Sequence, residues 1–442
     1  MRADSGKSLY ISILLLGLPI LIGQLGNIFV GFADTNMVGK YSTEALASAS
    51  FVNNLFNVSI FACVGFTYGL TPLIGSLFSQ EKPTQIGQLL RVGLWVNIVF
   101  SMLVGAIMGI IYFRLDRMGL PEELLPLIRP YFLIYLAGVP AIAIFNVFAQ
   151  WAYAIRHTVM PMVIILIANI INVCGNWLLI YGNWGCPELG LTGAGIASLI
   201  ARWVCVACIM TVFFCFRKYR PFRQGFIGSH RRSGDIALIN RTSWPVSLQM
   251  TFESGSFTAA AIMAGWLGKI PLASFQVIVI IGTLGFCLYY SMAAAVSVMV
   301  SNAAGKGDCS EMRRVAFSGY KIMLCLASLS SLAFIFAGPH IIRFFTNDPE
   351  VITLSLTLIV PLVLYQYGDA TQINFANALR GTSHVMPMLW IAFACYVVIG
   401  VPATYLLAFP CGLGIYGIIL SFSVSLFLAA ALFLYFFIRN TR

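Results

Sequence analysis

Charge is what this 442-residue chain has least of: 9% of its residues are Asp, Glu, Lys or Arg, against 60% hydrophobic. A protein bathed in water needs roughly 25–35% charged residues on its surface. Soluble architectures are therefore excluded, and the surrounding solvent has to be lipid. Histidine is scarce too. Of the four, His157, His230 and His384 fall at segment edges on one side and His340 near the opposite edge, so no two pair into a buried metal site. No Ser or Cys stands beside an obvious buried base, which argues against an intramembrane enzyme. Most of the eleven cysteines lie inside apolar stretches without metal-ligand spacing, where a thiol behaves as a small hydrophobe.

What the chain does have is long apolar sequence. Crossing the hydrocarbon takes roughly 20 apolar residues per helix. Twelve such stretches can be read, at 9–38, 45–78, 87–113, 125–155, 159–182, 190–217, 235–265, 271–304, 313–342, 351–380, 385–409 and 413–438. The first follows Arg2 and Lys7 in the manner of a secretory signal, but no small-residue cleavage site comes after it, so it reads as a retained span. The formal charge is +11. Its basic residues lie in the breaks between apolar stretches, which makes them topology signals rather than a nucleic-acid surface. With the N-terminus inside, nineteen of the 26 Lys and Arg collect on the inner side, and Lys40, Arg114, Arg117, Arg129, Lys269 and Arg343 on the outer. This positive-inside bias places both termini and the 218–234 linker in the cytoplasm and requires an even number of spans.

The chain also repeats itself. Met37-Val38-Gly39 with Leu46-Ala47-Ser48 returns as Met263-Ala264-Gly265 with Leu272-Ala273-Ser274, shifted by 226 positions, and Pro19 maps onto Pro245 by the same shift. Val159-Met160-Pro161-Met162 likewise answers to Val385-Met386-Pro387-Met388. Ordered matches over several spans argue duplication, and six spans per copy keep the copies parallel. The expectation is an all-α integral membrane protein of twelve transmembrane helices, in two parallel-repeat six-helix bundles around a central cleft. The lobes are drawn at 1–221 and 222–442. Cys186 and Cys411 take equivalent outward places in the two halves, so no disulfide between them is expected.

A carboxylate at mid-membrane costs about 2.5–3.5 kcal/mol even on the lenient insertion scale. Three of the fifteen acidic residues lie there: Asp34, Glu253 and Asp369. Amides recur four apart, on one helix face, at Asn53/Asn57, Asn146/Gln150 and Asn172/Asn176, with Gln249 likewise before Glu253 and Tyr365 before Asp369. With Gln24, Asn27, Gln276 and Gln372, these amides are candidate linings of a wet cleft. The plainer alternative is hydrogen-bonded glue between helices. Arg202, deep in the sixth span, either pairs with a carboxylate or snorkels. Pro19 and Pro245 each remove a backbone hydrogen bond and permit a bend.

Pro19 with Gln24, the run Asp34-Thr35-Asn36-Met37-Val38-Gly39, Leu46-Ala47-Ser48, and Asp369-Ala370-Thr371-Gln372 leading to Ala378-Leu379-Arg380-Gly381 give the chain a family look. Over nearly its whole length it resembles the multidrug and toxic compound extrusion (MATE) family. The resemblance implies a monomeric antiporter of the bacterial inner membrane, with no cofactor beyond a coupling ion, Na+ or H+. That ion enters while a small drug-like or cationic compound leaves by alternating access. It also implies that Asp34, assisted by Asn172 and Asn176, handles the ion in the N-terminal lobe, although the family often has an acid where Asn176 stands. Glu253, Tyr365 and Asp369 match the corresponding C-terminal residues of the sodium-driven branch. A sodium ion is thus implied at Asp34 or at Glu253/Asp369. The alternatives are a lipid-linked oligosaccharide flippase, whose cleft would be strongly cationic, and a channel, against which acids in both copies speak.

Overall fold

The computed structural model describes residues 6–117, 121–228, 233–346 and 348–442. Arg2, His230, Arg231, Arg232 and the matching part of the linker lie outside them. The described residues are helical with short connections: α1 (Gly6–Tyr41), α2 (Thr43–Tyr68), α3 (Leu70–Ser79), α4 (Pro83–Tyr112), α5 (Leu125–Ala154), α6 (Val159–Tyr181), α7 (Gly190–Cys215), the short α8 (Arg220–Ile227), α9 (Ser233–Trp266), α10 (Lys269–Gly305), α11 (Cys309–Phe345), α12 (Pro349–Thr357), α13 (Ile359–Gly381), α14 (Met386–Ala392), α15 (Val401–Ala408) and α16 (Gly414–Asn440). A π-helical segment, Phe393–Gly400, joins α14 to α15.

Among these residues ten helical stretches are long and apolar enough to cross a membrane, and α12 with α13, bent by 49°, makes an eleventh. The helix α9 is 34 residues long, ample to cross at about 1.5 Å per residue. Its Asp235, Arg241, Gln249 and Glu253 keep it below an apolar threshold. Counting it gives the twelve spans read from the sequence.

Local chemistry sets the ends of the helices. Ser42 caps α2 by accepting from the Ala45 amide at 3.1 Å. Asp308 caps α11 through the Glu311 amide at 2.8 Å, and Asp348 caps α12 just ahead of Pro349. Each side-chain oxygen satisfies an amide that the first helical turn leaves free. Gly182, at φ +67°, closes α6 in the left-handed conformation.

The chain divides into two compact units, Ile22–Ser247 and Met1–Leu21 together with Leu248–Arg442. The divisions fall inside α1 and α9, two residues past Pro19 and Pro245 and 226 positions apart. They do not follow the 221/222 boundary drawn from the sequence. The polar linker invited a cut there, because boundaries usually fall where few contacts cross. Instead its helix α8 is fastened to the first unit. Gly87 and Gly225 let α4 and α8 meet backbone to backbone, and Arg91 donates to the Phe226 and Ile227 carbonyls at 3.5 and 3.4 Å. Trp151 is fully buried against Phe213, Tyr219 and Phe222, ring centroids 5.0–5.7 Å away.

Each unit receives its half-helix at a repeat-equivalent place. In the first, Ser243 of α9 presses on Gly69, where a Cβ would stand 2.6 Å from the Ser243 Cα. Ser247 also donates to the Ala62 carbonyl at 2.8 Å. In the second, Gly17 of α1, the 226-shift counterpart of Ser243, presses on Met292, 3.3 Å from its Cα to a Cβ at position 17.

Gly69→Val is expected to lower the melting temperature in detergent by several degrees, from overpacking of about 1–3 kcal/mol. Gly109→Ala, where a Cβ meets nothing within 4 Å, should not lower it; heat challenge followed by size exclusion compares the two. In the α5–α6 connection, His157 Nδ1 lies 3.1 Å from the Tyr219 hydroxyl. Burial, and then Lys218, hold its imidazole below the ordinary 6.5. The stability this contributes is present above that ordinary value and lost as pH falls through the lower folded one. His157→Gln should therefore lose less heat resistance than the wild type between neutrality and about pH 5.

Candidate functional site

Two of the three acids placed within spans, Asp34 and Glu253, accept from neutral amides. In the unit Ile22–Ser247, Asp34 on α1 is half-buried. Asn176 of α6 donates its Nδ2 to Asp34 Oδ1 and, at 3.2 Å, to Asn172 Oδ1. Asn172 in turn donates to Ser198 Oγ of α7 at 3.0 Å. The four-residue step between the two asparagines puts both on one helix face, which is what allows the relay.

One turn beyond Ser198, Arg202 lays its guanidinium over the Tyr135 ring of α5, 4.2 Å from the centroid. Glycine at position 138 makes the room, since a Cβ there would stand 2.5 Å from Arg202 Nη1. Arg202 makes no close ion pair among the described residues; its guanidinium rests on the Tyr135 ring instead. It does lie within electrostatic range of Asp34. Tyr131, buried one turn before Tyr135, is reached by Asn53.

In the other unit Gln249 donates to Glu253 Oε2 at 3.0 Å, and Glu253 is within electrostatic range of Arg380 and Asp369. Asp369 is 2% exposed, with its Oδ2 unpartnered. Tyr365, one turn earlier on α13, packs edge-on to Phe257 and Phe422 and is in range of both acids. Gln366 is fully buried, with both amide atoms unpartnered, in the space that Gly285 leaves by lacking a Cβ. Gln372 Oε1 and the Tyr396 hydroxyl are buried and unpartnered in the same unit. Leaving such atoms unpaired costs roughly 1–3 kcal/mol each. The donor set of carboxylates, phenols and amides is that of a hard cation. Among the described residues no three His, Cys, Asp or Glu gather in metal-binding geometry.

The remaining candidates scatter. Asn27, Asn53, Asn57 and Gln276 are exposed, and Gln24 is half-buried. Asn146 turns back to its own helix, donating to the Ile142 carbonyl at 2.9 Å. Gln150 corrects the cleft reading. It is buried and accepts from Thr71 Oγ1 at 2.6 Å, so it joins α3 to α5 as glue, because its helix face turns into the unit. Gln249 and Gln372 are buried as well. Helices α1 and α9 run unbroken through Pro19 and Pro245. Ser198, Tyr131, Tyr135, Gln366 and Tyr396 were not singled out from the sequence. The four-residue steps Ser198/Arg202 and Tyr131/Tyr135 were the available signals.

The MatE family profile matches residues 19–178 and 245–406, two segments that begin 226 positions apart, as the internal repeat requires. The chain belongs to this family of membrane efflux transporters. It is therefore a multi-pass integral membrane protein whose relatives are transporters rather than enzymes.

Among the solved structures that share its fold are three transporters. A MOP superfamily transporter from Pyrococcus furiosus, whose reversed pocket polarity is described as suggesting a different function, is 19% identical, with a TM-score of 0.86 over 100% of this chain and 99% of its own. A mutant of the Vibrio cholerae MATE transporter VcmN is 19% identical, with a TM-score of 0.87 over 98% and 97%. A multidrug resistance MATE transporter in an outward-facing conformation is 19% identical, with a TM-score of 0.86 over 100% and 99%.

The structural role of Gln150 is open to test. Thr71→Val, which strands a buried acceptor, should destabilise by about 1–3 kcal/mol. Adding Gln150→Leu should restore most of that and leave efflux at the wild-type rate, as read by thermal unfolding and dye efflux.

Proposed function

We propose that this transporter is a cation-coupled antiporter, driven by sodium or protons, that exports small organic compounds, often cationic or aromatic. The observation that carries the reading is that Asp34, Glu253 and Asp369 lie within spans with amides or nothing as hydrogen-bond partners. A buried carboxylate without a close ion pair is costly to ionise, so occupancy by a proton or cation changes the energy of the state that holds it. One charge moving down the membrane potential releases about 2.3 kcal/mol per 100 mV. Holding a hundredfold gradient of neutral cargo costs about 2.7 kcal/mol, so one coupled cation is of the right order. Linkage then requires cargo and cation to weaken each other's binding by the same factor.

In this reading the molecule works as a monomer in the bacterial inner membrane, both termini cytoplasmic, with two lobes alternating around a central cleft and no cofactor beyond the coupling ion. The flippase alternative asks for a strongly cationic cleft, and nothing described here favours it. Asp34→Asn should abolish gradient-driven efflux in proteoliposomes while the protein still inserts and elutes as a single peak; unchanged efflux would remove Asp34 from the mechanism. Glu253→Gln and Asp369→Asn, assayed alongside, report whether the second acidic site is also required.

A further inference from the structure

The connection that leaves α7 carries charge of one sign. No Asp or Glu stands between Glu188 and Asp235, while Arg217, Lys218, Arg220 and Arg223 follow directly on Cys215, the last residue of α7. Two basic side chains at this end serve the backbone. Arg223 donates to the Phe214 carbonyl, and Arg91 of α4 donates to the Phe226 and Ile227 carbonyls, which the end of a helix leaves free. Arg217, Lys218 and Arg220 are different. All three are exposed, and among the described residues none donates to an acceptor or pairs with a carboxylate. The turn that precedes α4 adds Lys82 and Glu81, which balance.

Helix α8 separates two faces. Tyr219, just before it, and Phe222 turn inward onto Trp151, and Gly225 meets the α4 backbone. Arg220, Gln224 and Ile227, spaced by four and then three, share the opposite face and are exposed. Ile227 is 65% exposed, and Phe216, just before the basic run, 57%. Hydrocarbon would not hold three cations without partners, and water alone gives no reason for Phe216 and Ile227 to be bare. Apolar side chains flanking cations suit the headgroup layer, where each finds its own solvent. The contact with α4 and the Arg91 bonds fasten α8, so a rigid element presents this face.

We propose that the face carrying Phe216, Arg217, Lys218, Arg220 and Ile227 is a docking site for an anionic phospholipid headgroup of the leaflet in which α7 ends. The cations meet the phosphate, and Phe216 and Ile227 enter the boundary with the acyl chains. A soluble polyanion would engage the charge alone and leave both apolar side chains in water. The inference stands apart from the antiport reading and needs no coupling ion.

The test titrates the purified full-length protein in detergent with phosphatidylglycerol or phosphatidylcholine. Bound lipid is counted by native mass spectrometry, and the rate at which an amine reagent modifies Lys218 is followed in parallel. Phosphatidylglycerol should bind roughly tenfold more tightly than phosphatidylcholine at low salt, slow Lys218 modification, and lose its advantage at high salt. Arg217→Gln with Lys218→Gln and Arg220→Gln should abolish the preference, whereas Arg217→Lys with Arg220→Lys should keep it. Phe216→Ser with Ile227→Ser should weaken the binding of both lipids, which a purely electrostatic contact would not show. Equal preference in the wild type and the triple glutamine variant overturns the proposal. So does protection of Lys218 by glycerol phosphate as strong as that by the lipid, which would mark a soluble-anion site. If the glutamine variant does not elute as a single peak, Lys218 modification in the wild type that saturating phosphatidylglycerol leaves unchanged overturns it instead. Efflux unaltered by Asp34→Asn would sink the antiport reading and leave this result untouched.

Discussion

The constraint on which this structure turns is that ionisable carboxylates stand on long helices of a membrane protein, with few donors around them. Hydrocarbon offers them no hydration, so the helices around them must supply donors, countercharge or access. The two halves of the duplicated chain meet this demand differently. Around Asp34 it is met by an amide relay ending at Ser198 and by a guanidinium held against an aromatic ring. Around Glu253 and Asp369 it is met only in part: Gln249 donates to Glu253, while Asp369 Oδ2 has no partner. Duplication has therefore produced two related scaffolds with unequal electrostatics.

The same duplication governs the backbone. Helices α1 and α9 each begin in one compact unit and finish in the other, with the change of unit just past the equivalent prolines. Gly17 and Ser243, equivalent by the repeat, are the places where the borrowed half-helices press on their hosts. Asp34 and Glu253 sit further along these same two helices.

Much of this could be read from the residues. Apolar length, positive-inside charge and the 226-residue shift gave the number of spans and the duplication, since each depends on transfer energy and periodicity, which are properties of a segment alone. The four-residue step brought out Asn172 with Asn176 and Gln249 with Glu253, because an α-helix places such neighbours on one face wherever it lies. The same step failed for Asn146 and Gln150, where one amide bonds its own helix and the other bonds Thr71. A face can be inferred from spacing, but what that face meets depends on a different helix.

Composition and spacing along one chain thus sufficed for a polytopic, duplicated bundle with acids on its helices, because these are one-dimensional properties. Which amide answers which acid, that Arg202 stacks on Tyr135 in the room left by Gly138, and that the compact units part inside α1 and α9 rather than at the linker were settled by packing. Those outcomes turn on distances between residues tens to hundreds of positions apart, set only when many helices exclude one another's volume at once.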